Sequence, residues 1–129
     1  AGMIASGINV NMLNDEGIVR DSDIVSYCMR EGITIQNWSP LSYGYFEGSV
    51  LDREKYPELN DTLKKIGAEY GLTPAATAIA WLLRHPAQFM PVIGTVNIAH
   101  FNDACKAADV QLTRAQWYEI YRSAGYMQP

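Results

Sequence analysis

Two short stretches of this chain combine residue types that could do chemistry. Pro91-Val92-Ile93-Gly94-Thr95-Val96-Asn97 carries an apolar run into a glycine, a hydroxyl and an amide just before a helical stretch. Free backbone N–H groups and the positive end of a helix dipole make such a junction an anion site. For Asn97 alone, helix capping is an equally good account. Asn37-Trp38-Ser39-Pro40-Leu41 closes a second β-like run. On composition alone, Trp38 reads as a core tryptophan. His85, before a proline at a helix end, reads as a structural histidine or a charge partner for the helix C-terminus. Cys28 and Cys105 lack the close Cys/His spacing of a metal site and read as two buried thiols acting as small hydrophobes.

The elements that would position these residues follow from periodicity and caps. Residues 1–20 are rich in Asn, Gly and Asp without a clear period and read as a loop or arm. Asp21 or Ser22 caps a helix through Arg30, with Ile24, Val25, Cys28 and Met29 as its apolar face and Gly32 as its left-handed stop. A strand follows over residues 33–38, ended by Pro40, and then a Gly/Tyr-rich loop over 41–55. Pro57 opens a helix carrying Leu59, Leu63, Ile66 and Tyr70 to Gly71. Thr73-Pro74 opens another that is apolar nearly all round, and so deeply buried, until His85-Pro86. A short strand over 89–93 leads to a helix capped by Asn97, with Ile98, Phe101, Cys105 and Ala108 as its buried stripe. Thr113 and Gln116 form a capping box for the last helix, whose stripe is Trp117, Ile120, Tyr121 and Ala124.

Strands separated by helices imply parallel pairing and an α/β architecture, here predominantly helical. Two parallel strands alone leave unpaired edges and an uncovered apolar face. That face and the helix around residues 79–83 call for a cover: missing chain, a second copy, or the N-terminal arm. Oligomerisation is the expectation. The net charge of −4, with acids and bases interspersed, argues against a nucleic-acid partner. No stretch is long and apolar enough for a bilayer, and with no secretory signal in the sequence the expectation is a cytoplasmic chain. Met3 follows only Ala1-Gly2, which fits either a remnant of tag removal or a fragment of a longer chain.

Three segments in order carry a family resemblance. They are Gly32-Ile33-Thr34-Ile35-Gln36-Asn37-Trp38-Ser39-Pro40-Leu41, the run from Leu72-Thr73-Pro74 through Trp81-Leu82-Leu83-Arg84-His85-Pro86-Ala87, and Pro91-Val92-Ile93-Gly94-Thr95. Together they resemble the seventh and eighth strands, with their helices and the C-terminal helix, of the aldo-keto reductase barrel, in its bacterial branch. The resemblance implies a partial (β/α)8 TIM barrel over residues 21–129, since a closed barrel takes roughly 250 residues. It implies a nicotinamide nucleotide as partner. Trp38 would stack on the nicotinamide ring. Ser39 and Leu41 would line the pyrophosphate, with Gly44 allowing close backbone approach. Gly94, Thr95 and Asn97 would hold the 2′-phosphate of NADP, and Asp103 would contact the adenine amino group. His100 stands where arginine is common, which leaves NAD as an alternative to NADP. Ala104 replaces a common asparagine. The family's Asp–Tyr–Lys–His catalytic tetrad belongs to the first barrel strands, and none of it maps here. The chain then reads as the cofactor-binding end of a carbonyl reductase that uses NADPH. The alternatives are a non-catalytic nucleotide-binding or structural module that dimerises through its half-barrel face, and complementation by a separate chain supplying the missing half-barrel.

Overall fold

A computed structural model describes residues 23–42 and 48–125. The expected caps Asp21 and Ser22, the arm over residues 1–20 and Gly44 lie outside the described residues. In chain order the elements are α1 (Asp23–Glu31), β1 (Gln36–Trp38), α2 (Pro57–Tyr70), α3 (Pro74–Leu83), β2 (Met90–Val92), α4 (Ile98–Lys106), a 3-10 turn (Ala107–Asp109) and α5 (Arg114–Ser123). This is the order of helices and strands that the periodicity predicts.

The helix ends show why the sequence stops and starts where it does. Gly32, at φ 67°, closes α1 in the left-handed region while Ile33 N–H reaches back to Cys28 O at 2.8 Å. Gly71 repeats the device after α2, with Leu72 N–H on Gly67 O at 2.9 Å. Thr73 accepts from Ala76 N–H to start α3. Thr113 and Gln116 make the reciprocal capping box of α5.

The core lies where α2, α3 and α5 meet. Leu59, Leu63 and Ile66 of α2, the run from Ala76 to Leu82 of α3, Leu112 and Ile120 are all buried. Trp81 and Trp117 stack with centroids 4.8 Å apart, and each indole N–H donates to the other residue's backbone carbonyl, at 3.0 and 3.1 Å. α3 and α5 are therefore joined both by ring contact and by two hydrogen bonds that leave neither indole unsatisfied. Asn60, also buried, donates to Val50 O and Tyr56 O and so ties the loop before α2 to the helix. At the surface, Lys65 pairs with Glu119 across α2 and α5 at 2.8 Å, and the hydrogen bond and charge of Glu119 raise the lysine's pKa.

β1 and β2 pair in parallel with Gln36 opposite Met90, Asn37 opposite Pro91 and Trp38 opposite Val92. Both strands are shorter than the β-like runs in the sequence. Gln36, Trp38, Met90 and Val92 stand exposed on one face, while Asn37 is fully buried on the other. Among the described residues no helix is long and apolar enough to cross a membrane.

Several expectations need correction. α3 is covered by its own chain: Ile79, Ala80, Trp81 and Leu82 are all buried, and only Leu83 reaches solvent. A second copy is not needed to keep that helix dry. On α1 only Val25 is buried; Ile24 and Met29 are exposed and Cys28 is half-buried. α4 buries no residue, and its predicted stripe of Ile98, Phe101, Cys105 and Ala108 is exposed. Helical periodicity finds an apolar stripe but not which way the helix is rolled. Here the roll follows Asp103, which is bound to α3, and the small Ala107, which is buried beneath the end of the helix. The two cysteines are free thiols but not buried ones: Cys28 is half-buried and Cys105 exposed.

Candidate functional site

The register of the sheet brings the two motifs to one end of the molecule. Trp38 is the last residue of β1 and pairs with Val92, the last of β2, two positions before Gly94. The C-terminal ends of both strands therefore open toward the same pole. That is the end of a parallel α/β sheet where ligands are bound. Trp38 is 44% exposed, on the open face, and does not fill a core.

Beyond Trp38 the chain turns sharply. Ser39 has φ 47°, in the left-handed region where a non-glycine residue is strained. Backbone strain of this kind tends to gather at functional turns. Ser42 N–H bonds Ser39 O at 3.0 Å, and the exposed Ser39 hydroxyl meets no protein partner among the described residues. Leu41 behaves differently. It is half-buried against the core, and its carbonyl accepts from Val50 N–H at 2.9 Å and from the Ser49 hydroxyl at 3.2 Å. Its position is thus fixed, while its carbonyl is already committed.

At the second strand end Gly94 is exposed, and a Cβ added there would meet nothing within 4 Å. The backbone beside it is open to a ligand. The amides at the start of α4 are less free than the sequence suggests. Thr95 Oγ1 accepts from Asn97 N–H at 3.1 Å, and Asn97 Oδ1 accepts from Ala99 N–H at 2.9 Å and His100 N–H at 3.3 Å. Asn97 is the helix cap. An anion here would share or displace these bonds, with the helix dipole still favouring it. The His100 side chain is exposed beside the cap. Asp103 stands apart from the others. One carboxylate oxygen accepts from the Thr73 hydroxyl and the other faces Lys106 Nζ at 3.6 Å, so it is engaged with α3 and its own helix.

Asn37 lies beside these residues and was not among the expected site residues. It is buried beneath the sheet next to Trp38, and among the described residues neither its amide nitrogen nor its amide oxygen has a hydrogen-bond partner. A polar residue in the middle of a β-like run was the signal. Among the described residues no group of three or more His, Cys, Asp or Glu side chains could hold a metal ion.

With an exposed indole, an open glycine turn and a capped helix start at one pole, this end can offer a flat face and an anion-attracting helix terminus. Comparison with known proteins bears on what the pole is for. The aldo/keto reductase family model matches residues 2–124. A 6-dehydroglucose reductase of Agrobacterium fabrum is 38% identical over 100 residues, covering 78% of this chain and 32% of that protein. A second 6-dehydroglucose reductase, of Novosphingobium aromaticivorans, is 30% identical over 96 residues, covering 74% and 31%. The oxidoreductase YcsN of Bacillus subtilis, itself uncharacterised, is 30% identical over 105 residues, covering 79% and 34%. The chain thus spans about a third of the length of these relatives, in their C-terminal part. With both motifs at one sheet end and the match running over nearly its whole length, the chain belongs to the aldo/keto reductase family of oxidoreductases.

Proposed function

We propose that this chain supplies the nicotinamide-nucleotide end of an aldo-keto reductase that reduces carbonyl compounds with NADPH, and that the residues of the proton relay lie outside its 129 positions. The observation that carries the reading is Trp38, exposed at the end of β1 in register with the strand that leads to Gly94. In this role the indole face receives the nicotinamide ring and limits which side of it is presented. Ser39 offers an unpartnered hydroxyl to the pyrophosphate, and Leu41 holds the turn that carries it. Gly94 admits the backbone closely, and Thr95, Asn97 and His100 surround the helix terminus that attracts the adenosine phosphate. Asp103 can reach the adenine only by loosening its hold on Thr73. The bound cofactor supplies the hydride. The carbonyl's proton comes from the Asp–Tyr–Lys–His set that the missing half-barrel provides. A histidine in the place of an arginine makes the preference for NADP over NAD shallow. The names of two relatives make 6-dehydroglucose the first carbonyl substrate to try once that half is supplied. The reducing cytoplasm suits two free thiols.

The test is a titration of the 129-residue chain with NADPH and NADP, following tryptophan fluorescence, with Trp38→Ala as control. Saturable quenching that disappears in the variant is the expected result. No binding at nucleotide concentrations of about 1 mM, equivalent to a free energy weaker than about 4 kcal/mol, would refute a preformed half-site.

A second reading has its own observation. The exposed face of Gln36, Trp38, Met90 and Val92, together with Ile98 and Phe101 on α4, leaves apolar groups uncovered among the described residues. Here the chain is a nucleotide-binding or structural module that pairs with a second copy through this half-barrel face. Sedimentation decides it: a dimer weakened by Trp38→Ala supports the module, and a monomer at every concentration overturns it.

A further inference from the structure

We propose that the cleft between the end of α3 and the start of α5 is a second binding site, for a small molecule carrying a carboxylate or phosphate on an apolar body. The cavity, about 280 Å³, is lined by Arg84, His85, Pro86, Arg114, Trp117 and Tyr118. That volume is at the lower end for ligand pockets, which restricts the occupant to one ring or a short chain. Arg84 to Pro86 precede β2, whereas Gly94 follows it, so the cleft is set away from the strand ends that carry Trp38.

Two guanidinium groups of the cleft are uncompensated among the described residues. The chain holds 14 acids against 10 bases, and two exposed arginines use them: Arg30 pairs with Glu31 and Arg53 with Asp61, at 2.7 and 2.8 Å. Among the described residues Arg84 and Arg114 pair with no carboxylate. Arg84 spends only its Nε–H, on Leu112 O at 2.9 Å, which steadies the side chain and leaves its terminal N–H groups available. Arg114 lies over the Tyr118 ring, 5.7 Å from its centroid, with its donors uncommitted. Both forks are thus held before any ligand arrives, which lowers the entropy lost on binding. Arg114 is also the first residue of α5, where the helix dipole disfavours a cation. A bound oxyanion reverses that cost, being attracted by dipole and guanidinium together.

The walls select the rest of the ligand. Trp117 already has Trp81 stacked at 4.8 Å and Tyr121 at 5.5 Å, so it is poorly placed to stack on a further ring. His85 is likewise stacked on Phe89. Ring edges and Pro86 remain to touch an apolar body, and recognition falls on the charged head.

The experiment uses isotope-labelled 129-residue chain titrated with benzoate, phenyl phosphate and, as an uncharged probe, benzamide. Expected are saturable NMR shifts of the Arg84 and Arg114 Nε–H and Trp117 indole signals with at least one anion, while the Trp38 indole signal stays still. Arg114→Gln, an exposed change that leaves the circular dichroism unaltered, should weaken that binding about tenfold. Response to benzoate alone marks the site for carboxylates, and response to phenyl phosphate alone marks it for phosphate esters. Shifts that never saturate, equal shifts with benzamide, or undiminished affinity in Arg114→Gln overturn the proposal.

Discussion

Gly67→Ala should unfold this protein more easily, although alanine is the better helix former. In an exposed helix the exchange gains about 1 kcal/mol. Gly67 sits where α2 crosses the start of α3, and a Cβ there would meet the Leu72 carbonyl oxygen at 2.7 Å and run into the Thr77 hydroxyl. The first obstacle is backbone and cannot rotate away. The second is buried and donates to Thr73 O at 2.8 Å, so moving it endangers a hydrogen bond. Overpacking of this kind costs about 1–3 kcal/mol, and a lost hydrogen bond about 1 kcal/mol more. Set against the propensity gain, the balance is about 2 kcal/mol of destabilisation. In urea, with a slope of about 2 kcal/mol per molar, the midpoint should fall by about 1 M. Gly71→Ala is the comparison: a Cβ there meets nothing within 4 Å, but φ is +67°, so only the backbone preference of about 1 kcal/mol is lost. A Gly67→Ala protein as stable as its parent would refute the close crossing of α2 and α3, and with it the packing that places α3 and the strand that follows it.

Two further substitutions test the pole that bears the site. Asn97→Ala removes the acceptor for Ala99 and His100 N–H and should cost about 1 kcal/mol by thermal denaturation, with faster amide exchange confined to the start of α4. Asn37→Ala should stabilise the isolated chain by about 1 kcal/mol in urea, because it removes a buried amide with no partner among the described residues at the cost of a small cavity; a loss of stability would mean that the amide is satisfied in solution.

Local signals made most of the fold legible. Thr73-Pro74, Pro57, Gly71 and the Thr113/Gln116 pair are each satisfied by nearby backbone, so their outcome depends little on the rest of the molecule. The two motifs could also be placed at one pole, because parallel pairing carries both strand ends the same way. What could not be read depends on roll and on distant partners. Nothing in Ile98, Phe101 and Cys105 says that α4 turns its Ala107 end inward and leaves them wet. Asp103 could be matched to a ligand contact by position, but its bond to Thr73 joins residues thirty apart. The Asn97 side chain was foreseeable as a cap; that it and Thr95 would consume the amides offered to an anion required the geometry. Asn37 hides in a strand pattern because alternation reports which side a residue faces, not whether its amide finds a partner there.

The reciprocal pairing of Trp81 and Trp117 has an optical consequence. Their rings are 4.8 Å apart and within 9° of parallel, close enough for their electronic transitions to couple, with Trp81 buried and Trp117 half-buried. Trp38, the remaining tryptophan, is 44% exposed at the strand end. The near-ultraviolet dichroism should therefore report chiefly on the joint between α3 and α5, while the red edge of the emission reports on the strand end where a nucleotide would lie. One protein thus carries two colours of signal, one for whether it is folded and one for whether its open pole is covered.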